Sequence, residues 1–450
     1  MLKRDFGFGG YIPDILSIPA VSLPLIDDAT GMALALRQSM LAVGASAPNP
    51  AVGCVVVKNG QILAQGHTQE PGGNHAEVEA FEDLKRKGFE GWPDGATVYV
   101  TLEPCSHFGR TPPCAELFLD AKNVRVVIGC KDPNPRVSGA GIAKLRSFGL
   151  NVECGVMEAE IAFTLLPFFH AMHALTSTAE QTLARPFIGL KWAQSIDGKM
   201  ADHHARSQWL TGTQTQYYSH WLRQKYDAIA VGFETLKRDQ PSLTVRSLGP
   251  KVFPKHPLRI CLDPRGHFLK LDNSEQQRIL QHSTTGSNKE PWVVFCGSVS
   301  GTVEHSAAGR KDNAAAEPEE VLVECRSIAG AQIFCFSDSL QMSDFLRQTL
   351  HHVSSSQFEK LCSRSVQSLM IEGGPTMHQQ FLRSGLFDIC HGLIAPLFLG
   401  SSAYSMLNSH SVNLDDAKRL QLMQSVSSGD DVICEWFNPT SDYGFVTVTK

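Results

Sequence analysis

The chain has 450 residues, too many for one ordinary hydrophobic core, so two or more domains are expected. With 42% hydrophobic and 19% charged residues it reads as globular rather than disordered. A net charge of −5 without a basic block argues against a dedicated nucleic-acid binder, and no apolar run reaches the length of a membrane span.

The chain opens Met1-Leu2-Lys3-Arg4, but Pro13, Asp14, Pro19 and Pro24 break the apolar core that a signal peptide needs, so a flexible extension is expected over residues 1–28. The spacing of Met32, Leu34, Leu36, Met40 and Leu41 predicts a helix over 29–43. Residues 52–57 are β-branched and run into Asn59-Gly60, a hairpin turn with its return strand at 62–66. A helix over 75–87, a strand over 96–102, a helix over 114–121 and a strand over 124–129 follow, then a helix over 142–148 and a strand over 152–155. Strands alternating with helices predict an α/β layered domain over 29–170.

Residues 171–185 are small and polar, precede Pro186, and read as a linker. A second α/β domain over 186–450 is expected from strands at 187–193, 228–232, 258–262, 292–296, 368–371 and 389–393. Polar, low-complexity sequence near 283–320 reads as a surface insertion. Of the twelve cysteines, Cys54, Cys130 and Cys296 lie in apolar runs and read as buried hydrophobes in a reducing, cytoplasmic setting.

Cys105 and Cys114 differ, because their neighbours are polar, Pro and Gly. His75 opens a predicted helix, Cys105 follows Pro104 at a strand end, and Cys114 opens another predicted helix. One imidazole and two thiolates suit Zn²⁺ and leave its fourth position to water, whose pKa the metal lowers. Two helix N-termini aimed at one place favour the thiolates. Glu77, in the first turn, is placed to act as the catalytic carboxylate that moves a proton from water to a leaving amine. His, a non-ligand Glu and a later Pro-Cys pair form the zinc-deaminase signature, although that signature separates its cysteines by two residues and this chain by eight. The longer loop offers His107 and Arg110 to a bound molecule, and His107 as fourth ligand would instead make the site a structural zinc.

The second half carries an apolar strand with Lys191 and Gln194 running into the Asp197-Gly198 turn, then Ser207, Trp209, Arg223, Thr235, Asp239, Leu243 and Arg246. Ile371-Glu372-Gly373-Gly374-Pro375-Thr376 reads as a strand, a glycine turn and a helix start, where backbone N–H groups can meet a phosphate. The Gly-x-Gly-x-x-Gly fingerprint of dinucleotide folds is absent. Lys191 and Asp197 are candidates for proton handling.

Pro48-Asn49-Pro50-Ala51-Val52-Gly53, His75-Ala76-Glu77-Val78, the run from Thr101 to Cys114 and Asp132-Pro133-Asn134-Pro135 together resemble the deaminase half of the bifunctional riboflavin-biosynthesis deaminase/reductase family. The eight-residue loop is the version that this family uses. Residues from about 185 onward resemble its reductase half, except that Gln240 stands where the family often has Asp or Asn.

The resemblance implies a cytidine-deaminase-like α/β/α domain followed by a dihydrofolate-reductase-like α/β domain. It implies a zinc held by His75, Cys105 and Cys114, and deamination of a phosphoribosylated diaminopyrimidinone. It further implies NADPH-dependent reduction of the ribosyl group to ribityl. Cofactor contacts are then expected at Gln194, Trp209, Thr235, Asp239, Gly374, Pro375 and Thr376. Substrate contacts are expected at Asn49, Arg110, Lys191, Ser207, Arg223, Leu243, Arg246 and Glu372. Arg110, Arg223 and Arg246 suit phosphate, and Asn49 suits a pyrimidine edge.

The family also suggests a homo-oligomer acting on small phosphorylated pyrimidines, with no nucleic acid and no membrane. The competing reading is a single-function nucleotide or RNA deaminase with a non-catalytic second domain, and the second motif set weighs against it.

Overall fold

The computed structural model describes residues 27–107, 112–134, 138–176, 185–207, 210–246, 256–282, 291–297, 322–328, 330–336, 340–362, 365–406, 413, 415 and 417–439. They divide into two compact units, one N-terminal and one C-terminal.

The N-terminal unit runs α1 (Asp28–Ala42), β1 (Gly53–Lys58), β2 (Gln61–His67), α2 (Ala76–Arg86), β3 (Thr97–Leu102), β4 (Arg125–Cys130), α3 (Ala140–Ser147), β5 (Asn151–Cys154), α4 (Glu158–Thr164) and α5 (Leu166–Thr176). The α5 helix therefore continues to Thr176, into the stretch read from sequence as linker. Asp27 caps α1 by accepting from the Thr30 amide at 2.7 Å. Asn59 and Gly60 both take positive φ (51° and 74°), as the tight hairpin between β1 and β2 requires.

Sheet order is β2-β1-β3-β4-β5, antiparallel across β2-β1-β3 and parallel onward. Val55, Val56, Val98, Val100, Val127 and Ile128 are fully buried, so these strands are continuous apolar runs covered on both faces. Two glycines set the helices. A Cβ on Gly53 would lie 1.9 Å from the Ala35 carbonyl oxygen of α1, and one on Gly66 would lie 2.4 Å from the Ala76 oxygen and the Ala80 nitrogen of α2. Only glycine lets the first turn of α2 lie this close to the sheet.

The C-terminal unit contains β6 (Phe187–Ser195), β7 (Lys199–Ala201), α6 (Thr213–Lys225), β8 (Ala228–Gly232), α7 (Phe233–Asp239), β9 (Leu258–Asp263), α8 (Asn273–His282), β10 (Trp292–Cys296), β11 (Leu322–Ile328), β12 (Ala331–Phe336), α9 (Met342–Val353), α10 (Ser356–Cys362), β13 (Ser368–Ile371), α11 (Pro375–Ser384), β14 (Ile389–Ala395), β15 (Tyr404–Ser405), β16 (Gln421–Ser428) and β17 (Asp431–Phe437). Ten strands form one sheet in the order β11-β12-β10-β9-β8-β13-β6-β14-β17-β16.

The centre of that sheet is parallel, and β11, β17 and β16 are antiparallel additions at its edges. β13 and β6, distant in sequence, are neighbours, which brings Glu372 beside Lys191. Residues 283–290 and 298–321, most of the stretch read as a polar insertion, lie outside the described residues, as do 1–26 of the expected extension.

Candidate active sites

His75 is the N-cap of α2, with extended backbone (φ −75°, ψ 165°), so Glu77 falls in the first helical turn. Cys105 follows β3 and Pro104. Cys114 opens a 3₁₀ helix of five residues, Cys114–Phe118, in place of the longer helix that the sequence predicts. Trp92 anchors this short turn: its ring stacks on Phe118 at 4.4 Å and its Nε1 donates to the Leu117 carbonyl at 2.7 Å. A stacked aromatic pair adds about 0.5–1.5 kcal/mol beyond its burial.

His75 Nδ1 lies 3.2 Å from Cys114 Sγ and 3.7 Å from Cys105 Sγ, and the three ligand atoms all fall within 4.8 Å of one another. A tetrahedral zinc with these donors has ligand–ligand edges of roughly 3.5–3.8 Å, so the three residues fit the metal. The Cys114 amide donates to Cys105 Sγ at 3.2 Å, and the Ala115 amide to the Cys105 carbonyl at 3.1 Å. The Cys114 thiol and His75 hold the Cys105 thiol down to about 4. Cys114, hydrogen-bonded to Cys105 and buried, is pushed up instead. Glu77 is buried (4% exposed), and burial together with the Cys105 thiolate raises its carboxyl to about 7. Cys54, fully buried, lies within electrostatic reach of Glu77.

The second cluster gathers on β6, β13 and α6. Arg223 holds Glu372 with two bonds (Nε to Oε1 2.9 Å, a terminal nitrogen to Oε2 3.0 Å) and donates to the Thr244 carbonyl at 3.2 Å. Burial works against the Glu372 charge, but Arg223 and Lys191 outweigh it and hold the carboxyl at about 2. Burial lowers the half-buried Lys191 ammonium below its usual range, with Glu372 opposing and Arg223 reinforcing the shift. Burial, helped by Arg223 and Arg246, lowers His220 to about 4.

Leu243 is buried with φ +47°, a left-handed conformation that costs a branched residue about 1–2 kcal/mol. Such strain persists where surrounding structure enforces it, commonly at functional sites. On α11, His378 places Nε2 3.0 Å from the Lys191 carbonyl and Nδ1 3.2 Å from the Gly374 carbonyl, joining the glycine turn to the Lys191 strand.

Residues 186–434 match the sequence profile of the RibD C-terminal domain, and residues 26–130 match that of the cytidine and deoxycytidylate deaminase zinc-binding region. The chain is 35% identical over 373 residues to the riboflavin biosynthesis protein RibD of Aquifex aeolicus (strain VF5), covering 83% of this chain and 88% of the relative. With the RibD of Escherichia coli (strain K12) it shares 31% identity, covering 89% and 96%. The chain belongs to the RibD family.

It is accordingly a riboflavin-biosynthesis enzyme with a zinc-binding deaminase part and a reductase part. The crystal form 1 structure of Acinetobacter baumannii RibD aligns with a TM-score of 0.65 at 30% identity, over 91% of this chain and 98% of that one. A Thermotoga maritima structure described as a diaminohydroxyphosphoribosylaminopyrimidine deaminase/5-amino-6-(5-phosphoribosylamino)uracil reductase aligns at 0.64 and 28% identity, over 91% and 98%.

In this RibD-family chain, the sequence-predicted His75, Glu77, Cys105 and Cys114 come together. Arg110 and Trp209 lie outside the described residues. Asn49 is exposed, its backbone N–H donating to the Ser46 carbonyl at 2.9 Å. Lys191, Arg223 and Glu372 meet, and Arg246 is exposed within electrostatic reach of His220. Because Arg223 is committed to Glu372, Arg246 is the exposed cation of the two C-terminal-unit arginines read as suiting phosphate.

Thr235 Oγ1 lies 3.1 Å from where a Cβ on Gly373 would stand, so α7 backs onto the glycine turn (Gly373 φ +123°). Gly374 caps α11, Pro375 is its first residue, and Thr376 is exposed, as are Asp239 and Ser207. Gln194 accepts from Trp192 Nε1 at 2.8 Å. Asp197 accepts from Ser195 Oγ and from the Leu399 and Gly400 amides, contacts that tie the loop at 399–400 to the end of β6.

Sequence reading missed His220 and His378. His220 lies one helical turn before Arg223 and His378 one turn after Gly374, spacings that face those residues.

Proposed function

We propose that the N-terminal unit hydrolytically deaminates 2,5-diamino-6-(5-phosphoribosylamino)pyrimidin-4(3H)-one, and that the C-terminal unit uses NADPH to reduce the ribosyl group of 5-amino-6-(5-phosphoribosylamino)uracil to ribityl. The observation carrying this reading is the cluster of His75, Cys105 and Cys114 with the buried Glu77 beside it. His75, Cys105 and Cys114 hold zinc, which when bound polarises water and lowers its pKa.

Glu77 takes a proton from the attacking water and delivers it to the 2-amino group, which leaves as ammonia. Desolvation keeps its carboxyl poised between acid and base. Arg110, within the eight residues between Cys105 and Cys114, binds the substrate phosphate, and Asn49 reads the pyrimidine edge.

In the second site, NADPH when bound would supply a hydride to the ribose carbon. Gln194, Trp209, Thr235, Asp239 and the turn Gly374–Thr376 hold the cofactor, with the α11 N-terminus favouring its phosphate. Lys191 stands as proton donor to the ribose oxygen, held by Glu372, while Ser207, Leu243 and Arg246 line the substrate and Arg246 meets its phosphate. The domain division follows the same reading: deaminase over 29–170 and reductase over 186–450. A reducing, cytoplasmic setting belongs to the same reading. No described helix is long and apolar enough to cross a membrane. The reading includes a homo-oligomer working on small phosphorylated substrates.

Incubating the chain with the diaminopyrimidinone, with and without NADPH, tests this. Ammonia release without NADPH, followed by oxidation of added NADPH, is expected. Release of neither product would overturn the reading.

A further inference from the structure

Glu103 directly follows β3, two residues before Cys105, is 5% exposed, and faces neither an arginine nor a lysine among the contacts its carboxylate makes. Its partners are backbone amides. Oε1 accepts from Gly141 at 2.9 Å and Ile142 at 3.2 Å. Oε2 accepts from Gly139 at 2.9 Å and Asp132 at 3.3 Å. The first three donors are the cap and first turn of α3, groups that a helix leaves without internal partners. The fourth lies in the loop after β4.

The packing is equally close. A Cβ on Gly141 would stand 2.1 Å from the Pro104 carbonyl oxygen and 3.2 Å from Glu103 Cγ. The first turn of α3 thus lies directly on the backbone that leads into Cys105. Asp132, pulled in through its amide, lies within electrostatic reach of Cys105 and His107.

We infer that Glu103 is a positioning residue of the deaminase centre: by gathering four amides from α3 and the β4 loop, it fixes the Pro104-Cys105 backbone and so aims the Cys105 sulfur at the metal position. The inference rests on the reading of His75, Cys105 and Cys114 as the metal ligands. A carboxylate is required because both oxygens accept twice. Glutamine would turn an NH₂ group toward two N–H donors whichever way its amide is flipped. Alanine would leave the α3 amides without partners and remove the tie to Asp132.

The test uses the full chain loaded with Co²⁺, whose thiolate charge-transfer band reports the sulfur ligands without relying on turnover. Chelator competition gives metal affinity, and NADPH oxidation on the deaminated substrate serves as an internal control. Outer partners of metal ligands typically change affinity by about 10–100-fold. Glu103→Gln and Glu103→Ala are expected to weaken cobalt binding by that order and alter the band, with reductase turnover within about two-fold of wild type. Glu103→Asp, which keeps both acceptor oxygens, is expected to recover part of the affinity.

A merely structural residue would lower the melting temperature and leave band and affinity unchanged; that result in Glu103→Gln would overturn the inference. Should Glu103→Gln fail to fold, wild-type affinity in Glu103→Asp would overturn it equally, and weakened affinity in that folded variant would support it. A wild-type chain showing no thiolate band would overturn the metal reading itself, whereas a wild-type band unchanged by substitution would remove only the role of Glu103.

Discussion

In the deaminase unit, the functional side chains come from short segments that each end or begin a secondary-structure element: His75 and Glu77 at the start of α2, Cys105 after β3, and Cys114 at a 3₁₀ turn. In the reductase unit, Lys191, Arg223 and Glu372 come from β6, α6 and the end of β13, up to 181 residues apart in sequence, and lie within a charged interior. The first site gathers one imidazole and two thiols whose ligand atoms lie within 4.8 Å of one another, a set suited to a metal. The second holds a charged pair within the fold itself, Arg223 with Glu372. Deaminase function therefore depends on what the site binds, and reductase integrity on what the fold has already paired.

Metal loss should separate the two most sharply. Cys114→Ala is expected to abolish zinc binding and ammonia release while NADPH oxidation on the deaminated substrate persists, measured by metal analysis and parallel assays. Loss of both activities together would break the comparison. Next in size, Arg223→Ala leaves Glu372 buried without its partner, and breaking such a pair costs about 3–5 kcal/mol. Urea unfolding of the full chain should show that loss, with the cobalt thiolate band retained until unfolding.

Acid should also act on the reductase cluster. Glu372 is held at about 2 against an ordinary 4.5, so its contribution is complete above about 4.5 and lost as pH falls toward 2. His220, lowered to about 4 from 6.5, is neutral in the fold, and its contribution is complete above 6.5 and lost as pH falls toward 4. The stability that this cluster contributes should thus decline from about 6.5 downward, so the stability difference between wild type and His220→Asn, measured against pH, should shrink from about 6.5 toward 4. The smallest effect is expected at the exposed pair of Lys85 and Glu82 on α2 (side chains 47% and 42% exposed), where Lys85→Ala should change stability by less than about 1 kcal/mol.

The same contrast decided what could be read from the residues alone. His75, Glu77, Cys105 and Cys114 were legible because local rules govern them: metal-ligand chemistry, helix starts, and a strand that ends in Pro-Cys. The Asn59-Gly60 hairpin was legible for the same reason. The five-residue 3₁₀ turn was not, since its shortness depends on Trp92 packing against Phe118 from elsewhere in the chain. Arg223 looked like a phosphate clamp because sequence shows a cation but not the carboxylate that a neighbouring strand brings to it. The antiparallel edge strands β16 and β17 also went unread. The partly exposed pattern of β16 carries only weak alternation, and pairing with β17 and β14 supplies the rest. Glu103 sat in plain view within the motif, yet its amide partners lie 29 to 39 residues away.

The central claim is that one chain holds two separate sites acting in sequence, and Glu77→Gln tests it most directly. Given the diaminopyrimidinone and NADPH, this variant should release ammonia about 10²–10⁴-fold more slowly and oxidise NADPH no faster than it deaminates. Given 5-amino-6-(5-phosphoribosylamino)uracil, it should oxidise NADPH at the wild-type rate. Wild-type oxidation with the first compound, or none with the second, would contradict the account.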